Sequence, residues 1–278
     1  MKQNTKARRE SGGGMRGVVA LVALTLAAAA LVGLFVAYDR LRDMWREQCV
    51  ATDMESQVSI TEGRLVRADV VAEAFGLKNG VNLAEIDFAA RRAEMLGKYP
   101  AIREISVTRR LPNRVEIAVV EREPAVRMGT SGRKGGSGLV ADEEGVVFGC
   151  RRGTNLLPIV KESPAPGAGT PVGQRLSGRS LAALRLVMAC REPRFQDLRL
   201  LEVDVSKSDY LVATLADYST ANVSWPGMDD SGGGKEKLAE TLESFLKALR
   251  CDTSRGTRVW NVFGPDRVYA NTMERIVP

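Results

Sequence analysis

The chain has 278 residues, which leaves room for one or two folded domains, and it carries a formal net charge of +6. Five basic residues against Glu10 concentrate +4 of that charge in the first 16 positions. The remainder is nearly neutral and lacks the basic footprint of a nucleic-acid-binding protein. Histidine is absent, which excludes a Ser-His-Asp triad and removes the commonest general base and metal ligand. We therefore expect no catalytic residue, metal, cofactor or small-molecule ligand.

An apolar run at 18–38 predicts a transmembrane helix, because its 21 positions carry no charge and about 20 apolar residues cross a bilayer core. The tail at 1–17 is basic, whereas the charges just after the run sum to zero. The positive-inside rule therefore predicts a cytoplasmic N-terminus and a large part of the chain outside. The alternative is a cleaved signal peptide, since Ala28 and Ala30 suit an A-x-A site. The run is longer than a typical signal core, so we expect a retained anchor.

Residues 39–57 are charged and have a weak helical spacing of apolar residues. They predict a juxtamembrane stalk that continues the membrane helix or packs against a partner helix. Residues 58–127 predict a compact domain with the element order β-α-α-β-β. Its strands are predicted from Val58, from Ile102 and from Val115, and its helices at 68–75 and 87–98.

Residues 128–278 predict a β-rich mixed domain with flanking helices, so the fold class is α+β behind a single N-terminal membrane helix. Glycine and serine predict a flexible loop at 128–138. The run Leu156–Val160 contains Pro158 and is predicted as an edge or short strand. Further strands are predicted at 139–141, 146–148, 198–205, 210–215, 221–225, 258–263 and 267–270, and helices at 181–190 and about 238–249.

Four cysteines are widely spaced along the chain and do not favour any pairing. An exported domain could join them in disulfides, and the alternative is that they are isolated small buried residues. They are Cys49, Cys150, Cys190 and Cys251.

Two short motifs lie close together in the compact domain. The pattern R-x-L-P-N-x-V-x-I runs from Arg109 to Ile117, and E-R-x-P follows from Glu121 to Pro124. Both resemble the POTRA domain of the FtsQ/DivIB family of bacterial cell-division proteins. The segment 140–148 and Leu157-Pro158 resemble the start of the family's second, β-rich domain. The resemblance extends over 58–160 and then rests mainly on the order of the elements.

The resemblance implies a non-enzymatic scaffold of the division machinery, the divisome, at the septum in the cell inner (cytoplasmic) membrane. It implies partners like FtsL and FtsB, which are small coiled-coil membrane proteins, and a role in regulating septal peptidoglycan synthesis. The resemblance implies that the POTRA domain takes part in recruitment to the division site. It also implies that the last strand of the β domain binds the FtsB-like partner by strand addition.

Elementary physics supports a partner at the C-terminal strand. A terminal strand easily lies at a sheet edge, where free N–H and C=O groups can pair with an added strand. Phe263 and Tyr269 are the closest counterparts of the family's aromatic partner-binding residues, and ordinary core packing is the alternative for both. Trp260, Arg267 and Val268 lie in the same two strands and complete the candidate site.

The candidate recruitment residues of the POTRA motif are Arg109, Pro112, Asn113, Glu121, Arg122 and Pro124. Arg109 and Arg122 either bind an acidic partner surface or are solvated strand ends or members of local ion pairs. Pro112 and Asn113 are typical of a hairpin turn. Glu121 and Arg122 are expected to shape the junction between the two domains.

Two other function classes compete with the scaffold. One is a secreted or periplasmic enzyme or factor, released by signal cleavage and acting through a carboxylate pair or a serine. The other is an outer-membrane POTRA protein, but the roughly 118 residues after position 160 hold too few strands for a membrane barrel.

Overall fold

A computed structural model describes residues 13–61, 63–110, 112–134, 136–150, 152–163, 169–230, 232, 234–251 and 258–272. The chain divides into two compact units. The first consists of residues 1–59, 76–87 and 107–116, and the second of residues 60–75, 88–106 and 117–278. The predicted tail at 1–17 lies mostly outside the described residues, as does Leu111 of the turn motif.

The first unit begins with helix α1, Gly13–Gln48. A helix of 36 residues is about 54 Å long, well beyond the roughly 30 Å of a bilayer core. The segment Leu21–Gln48 is long and apolar enough to cross a membrane, with a mean hydropathy of 2.4. The predicted anchor at 18–38 therefore lies within α1, and the helix continues through the first ten residues of the predicted stalk.

The rest of the stalk is held by backbone hydrogen bonds to the turn at 80–83. Ala51 N–H donates to the Val81 carbonyl at 2.8 Å, and Leu83 N–H donates to the Cys49 carbonyl at 3.0 Å. A short helix α2, Met54–Gln57, follows with Asp53 as its cap. The stalk is thus folded structure that the weak apolar spacing of the sequence did not indicate.

The predicted order β-α-α-β-β is confirmed. Strands β1, β2 and β3 form a sheet in the order β1-β3-β2. Within the second unit, the rings of Phe75 and Phe88 lie 5.9 Å apart, and Met95, Ile105 and Ile117 are buried. The bounds are β1 Val58–Ile60, α3 Ala68–Ala74, α4 Phe88–Lys98, β2 Ile102–Arg110 and β3 Arg114–Glu121.

A nine-stranded sheet follows, in the order β12-β11-β10-β9-β8-β7-β4-β5-β6. Its strands are β4 Val126–Thr130, β5 Leu139–Ala141, β6 Val147–Gly149, β7 Ile159–Glu162, β8 Leu200–Asp204, β9 Leu211–Leu215, β10 Thr220–Ser224, β11 Arg258–Phe263 and β12 Val268–Thr272. The described residues of this part include two α-helices, α5 Gly178–Cys190 and α6 Lys235–Cys251, and a short 3-10 helix at Pro193–Phe195. Their apolar side chains join one buried cluster with alternate residues of the strands, which fixes the core on that face of the sheet.

One prediction about this sheet is wrong, and of the two alternatives for Leu156–Val160, an edge or a short strand, only the short strand is confirmed. Residues 128–130 form the end of β4 and not a loop, and both Met128 and Gly129 are buried. The strand predicted at Leu156–Val160 is β7, which lies in the middle of the sheet and pairs in parallel with β4 and β8. Pro158 precedes β7, so the N–H that proline lacks is not needed in the ladder. Local sequence could not reveal the pairing, because both neighbours are distant in the chain.

The four cysteines are free thiols. Cys49, Cys150 and Cys190 are buried, and burial raises the pKa of the Cys190 thiol to about 12. Such a thiol is protonated at neutral pH and chemically inert. The structure therefore favours the interpretation of these three residues as small apolar packing groups.

Candidate partner-binding edge

Strand β12 is the last strand on one side of the nine-stranded sheet. It pairs antiparallel with β11 and places Ala270 opposite Trp260 and Tyr269 opposite Asn261. The two strands are joined by the turn Gly264-Pro265-Asp266, with Gly264 at φ 102°, a conformation that glycine adopts without strain. The prediction that the terminal strand lies at a sheet edge is therefore confirmed for the described residues.

The turn fixes which backbone groups of β12 face outward. Phe263 N–H donates to the Arg267 carbonyl at 2.9 Å, so this residue pair is hydrogen-bonded. Hydrogen-bonded and non-bonded pairs alternate along an antiparallel ladder. Tyr269 and Asn271 are then bonded to β11, while Val268, Ala270 and Thr272 point their N–H and C=O groups away from it. These three residues offer the donors and acceptors that an added strand requires.

The side chains of the edge are divided between two faces of the sheet. Trp260 is only 4% exposed and packs edge-on against Phe245, with ring centroids 5.6 Å apart. Val268 packs against the same core. Tyr269 lies on the opposite face and is 51% exposed. Core packing, the alternative left open for Phe263 and Tyr269, therefore does not account for Tyr269. Trp260, which was predicted as part of the partner-binding site, is a core residue.

Phe263 and Arg267 lie next to the turn. The Phe263 ring is half-buried and lies 6.1 Å from the ring of Tyr210, across the small side chain of Ser224. Arg267 is exposed. Phe263 therefore combines partial packing with partial exposure. Sequence analysis did not predict Ala270 and Thr272 as site residues, because they contribute backbone groups and not side chains. The position of the turn at 264–266 was the signal that could have indicated them.

Glu121 of the POTRA motif has an internal role. Its carboxylate accepts hydrogen bonds from the backbone N–H groups of Arg64, Leu65 and Val66 at 2.8, 2.7 and 2.7 Å. Three converging N–H groups make a local anion site, and here the anion is supplied by the chain itself. A Cβ atom on Gly63 would clash with the Glu121 carboxylate in this position, so glycine allows the close approach. Glu121 holds the segment between β1 and α3.

Arg122 is the centre of an ion-pair cluster. Its guanidinium lies 2.5 Å from Asp142 and 3.2 Å from Glu144, and the Arg122 and Asp142 side chains are 14% and 5% exposed. Arg103 and Arg175 reach Glu144 from other segments at 2.7 and 3.4 Å. Of the alternatives for Arg122, local ion pairing is the one that the structure favours. The acidic turn between β5 and β6 was not recognised as its partner because the two are separated by about 20 residues.

The other motif residues are structural at their positions. Arg109 donates to the Ile86 carbonyl at 2.8 Å. Pro112 and Asn113 form the turn that leads into β3. Pro124 lies in the extended segment that leads from β3 into β4. None of these contacts identifies a recruiting partner, so the recruitment role of the motif stays a prediction.

The cluster predicts a loss of stability in acid. The hydrogen bond from Arg122, and the charges of Arg103 and Arg122, hold the pKa of Glu144 below its usual 4.5. A carboxyl with a lowered folded-state pKa stabilises the fold above the usual value, and that contribution disappears as the pH falls through the folded-state pKa. We expect the melting temperature to decrease once the pH is lowered below about 4.5, and to decrease less steeply in Glu144→Gln. Circular dichroism melting curves from pH 7 to pH 3 measure this. Equal pH slopes for the two proteins would contradict the assignment.

Within the described ranges, no group of three histidine, cysteine, aspartate or glutamate residues lies close enough together to hold a metal ion. The sites that the structure does present are an edge of backbone hydrogen-bonding groups and internal polar clusters.

Two comparisons bear on identity. Residues 56–122 match the family model described as "POTRA domain, FtsQ-type". The chain is also 26% identical over 196 residues to the cell division protein FtsQ of Streptomyces griseus, an alignment that covers 69% of this chain and 88% of that protein.

Proposed function

We propose that this chain, which carries a POTRA domain of the FtsQ type, is a non-enzymatic scaffold of the divisome like the FtsQ/DivIB cell-division proteins that it resembles. Its role is thus in cell division. The scaffold assignment is supported most by one observation: β12 ends the sheet with the backbone groups of Val268, Ala270 and Thr272 turned outward. Such an edge binds a partner strand and performs no chemistry of its own.

The partners that fit this edge are coiled-coil membrane proteins of the FtsB and FtsL kind. An extended segment of the FtsB-like partner would add to β12 and extend the sheet by one strand. Backbone hydrogen bonds would supply affinity, and Tyr269 and Arg267 would supply side-chain selectivity on the exposed side of the strand. Through these partners the chain would help to regulate septal peptidoglycan synthesis.

An apolar N-terminal helix and the family both fit an inner-membrane division protein. We propose that α1 is a retained anchor, with a cytoplasmic tail at 1–17 and the rest of the chain beyond residue 38 on the periplasmic side. The helix is continuous through Ala28 and Ala30 as far as Gln48, which supports an anchor over a cleaved signal peptide. The proposed layout is a stalk at 39–57, a POTRA domain at 58–127 and a β domain at 128–278.

The POTRA domain would recruit the chain to the division site. Glu121 and Arg122 are engaged within the second unit by the loop at 64–66 and by the turn at 142–144. We therefore propose that these two residues support the architecture of the domain and do not contact the recruiting protein directly.

Depletion in the native host tests the function. We expect filamentous cells with blocked septa, restored by the full chain but not by a chain whose anchor is replaced with a cleavable signal peptide. N-terminal sequencing of the native protein provides the control for anchoring. Normal septation after depletion would contradict the divisome role, and a mature N-terminus near residue 31 would contradict the retained anchor.

A further inference from the structure

Two loops at the other side of the nine-stranded sheet are rich in basic residues. Acidic residues are absent from 126–141 and from 145–160, whereas arginine and lysine recur in both segments. Arg133 and Lys134 are exposed in the loop after β4, and Arg152 is exposed in the loop after β6. The acidic run 142–144 between the two segments is paired with Arg103, Arg122 and Arg175. The two loops themselves therefore expose positive charge.

A cavity of about 310 Å³ lies between these loops. Arg127 lines one wall, the backbone of Gly136 and Gly138 another, and Thr154 and Asn155 a third. The two loops are tied together by a hydrogen bond from Cys150 N–H to the Gly138 carbonyl at 3.3 Å. Guanidinium, hydroxyl and amide groups are suited to bind a carboxylate.

A second cavity of about 480 Å³ adjoins the loop after β6. Arg64 and Arg152 line it together with Pro124. Two other charged residues line this cavity, and both are already bound within the chain. The Glu121 carboxylate accepts hydrogen bonds from three backbone N–H groups, and Arg122 is paired with Asp142. The charges available to a ligand in this cavity are therefore positive.

Leu156 lies in the same loop, and its side chain is 98% exposed. Among the described residues outside α1, this is the highest exposure of a large apolar side chain. Its neighbour Leu157 is partly buried, and the Leu157 carbonyl accepts a hydrogen bond from Arg127 at 3.0 Å. The loop is thus anchored at Leu157 and Arg127 while Leu156 projects into solvent. Leu156 lies four residues after Arg152 in the chain, so one partner segment that carries both acidic and apolar residues can contact both side chains.

We propose that Arg64, Arg127, Arg133, Lys134, Arg152 and Leu156 form a basic docking surface for an acidic peptide segment of a partner protein. Carboxylates of that segment would enter the two cavities, and an apolar residue would cover Leu156. Two discrete concave sites favour a peptide over a flat lipid surface, and the lack of aromatic residues among the six argues against single-stranded nucleic acid. The surface follows β6, whereas β12 is the opposite edge strand, so the two surfaces can be occupied by different segments.

Binding of a designed peptide tests this surface independently of strand addition. The full chain is placed in nanodiscs of zwitterionic lipid and titrated with a fluorescein-labelled peptide of alternating glutamate and leucine. A lysine–leucine peptide of the same length is the probe control. We expect the acidic peptide alone to bind, with an affinity that falls as salt rises.

Charge-reversal variants locate the binding site. Lys134→Glu with Arg152→Glu is expected to raise the dissociation constant at least about tenfold, and Leu156→Ser about threefold. The matched control is Arg92→Glu with Arg199→Glu, which changes the net charge by the same amount at exposed positions elsewhere. We expect the control to change the dissociation constant less than about twofold. Circular dichroism melting checks that all variants fold.

Three outcomes would overturn the proposal: equal binding of the two peptides, equal effects of the two charge-reversed variants, or loss of binding in Ala270→Pro, which alters only the β12 edge. Nanodiscs containing phosphatidylglycerol provide a further comparison. Burial of a fluorophore at position 156 in those discs, without peptide binding, would assign the surface to lipid and overturn the peptide proposal.

Discussion

Replacing Ala270 with proline is expected to weaken binding of the FtsB-like partner about a hundredfold or more, while the β11–β12 hairpin stays folded. Ala270 faces Trp260 in a non-hydrogen-bonded pair, so its N–H points away from β11. Proline removes that N–H and places its ring in the space that the added strand would occupy. A hundredfold loss of affinity corresponds to about 2.7 kcal/mol. Proline is tolerated on an edge strand when its nitrogen faces away from the sheet.

Isothermal titration of the chain with a peptide from the partner measures this effect. Ala270→Val is the matched control, because it keeps the outward N–H and is expected to bind within about threefold of the original chain. Tyr269→Pro is the opposite control, since the Tyr269 N–H belongs to the β11 ladder and its loss should unfold the hairpin. Unchanged affinity in Ala270→Pro would show that the partner does not bind by strand addition at β12.

Replacing Glu121 with alanine is expected to lower the free energy of unfolding by about 2–3 kcal/mol, because three backbone N–H groups lose a charged acceptor. The loss should be local. We expect hydrogen exchange at Arg64, Leu65 and Val66 to become about a hundredfold faster, since a cost of 2.7 kcal/mol corresponds to that factor.

Glu116→Ala is the matched control, because Glu116 belongs to the same strand and pairs with Arg110 at 2.8 Å on a well-exposed surface. Exposed pairs of this kind contribute about 0–1 kcal/mol, so little change is expected. If the two variants lost equal stability, the three hydrogen bonds of Glu121 would not be the reason for a glutamate at the end of β3. Mass spectrometry of exchange in the segment 60–75 distinguishes the outcomes.

The first sheet could be read from sequence because its signals are local. Val115, Ile117 and Val119 alternate with polar residues, and Pro112-Asn113 marks the turn before them. The helix at 88–98 carries its own start and stop. For the same reason the turn at 264–266 and the two strands around it were predicted within one or two residues.

The errors arose where distant segments meet. Pro158 suggested an edge, but β4 and β8 cover β7 on both sides. Trp260 looked like a partner-binding aromatic beside Tyr269, but α6 packs Phe245 against it. Glu121 reaches N–H groups more than 50 residues away, and no local pattern reports such a contact.

Sequence alone determined the apolar run within α1, the β-α-α-β-β order and the match to an FtsQ-type POTRA domain, because these depend on hydrophobicity, chain periodicity and short motifs carried by neighbouring residues. Only the tertiary structure decided that β12 lies at the edge, which of its N–H groups point outward, and that Glu121 and Arg122 are bound internally. The order of the strands, and which residues of a strand form hydrogen bonds to its neighbour, depend on which segments pair across the whole fold. A long-range contact stabilises both partners without leaving a periodic pattern in either segment.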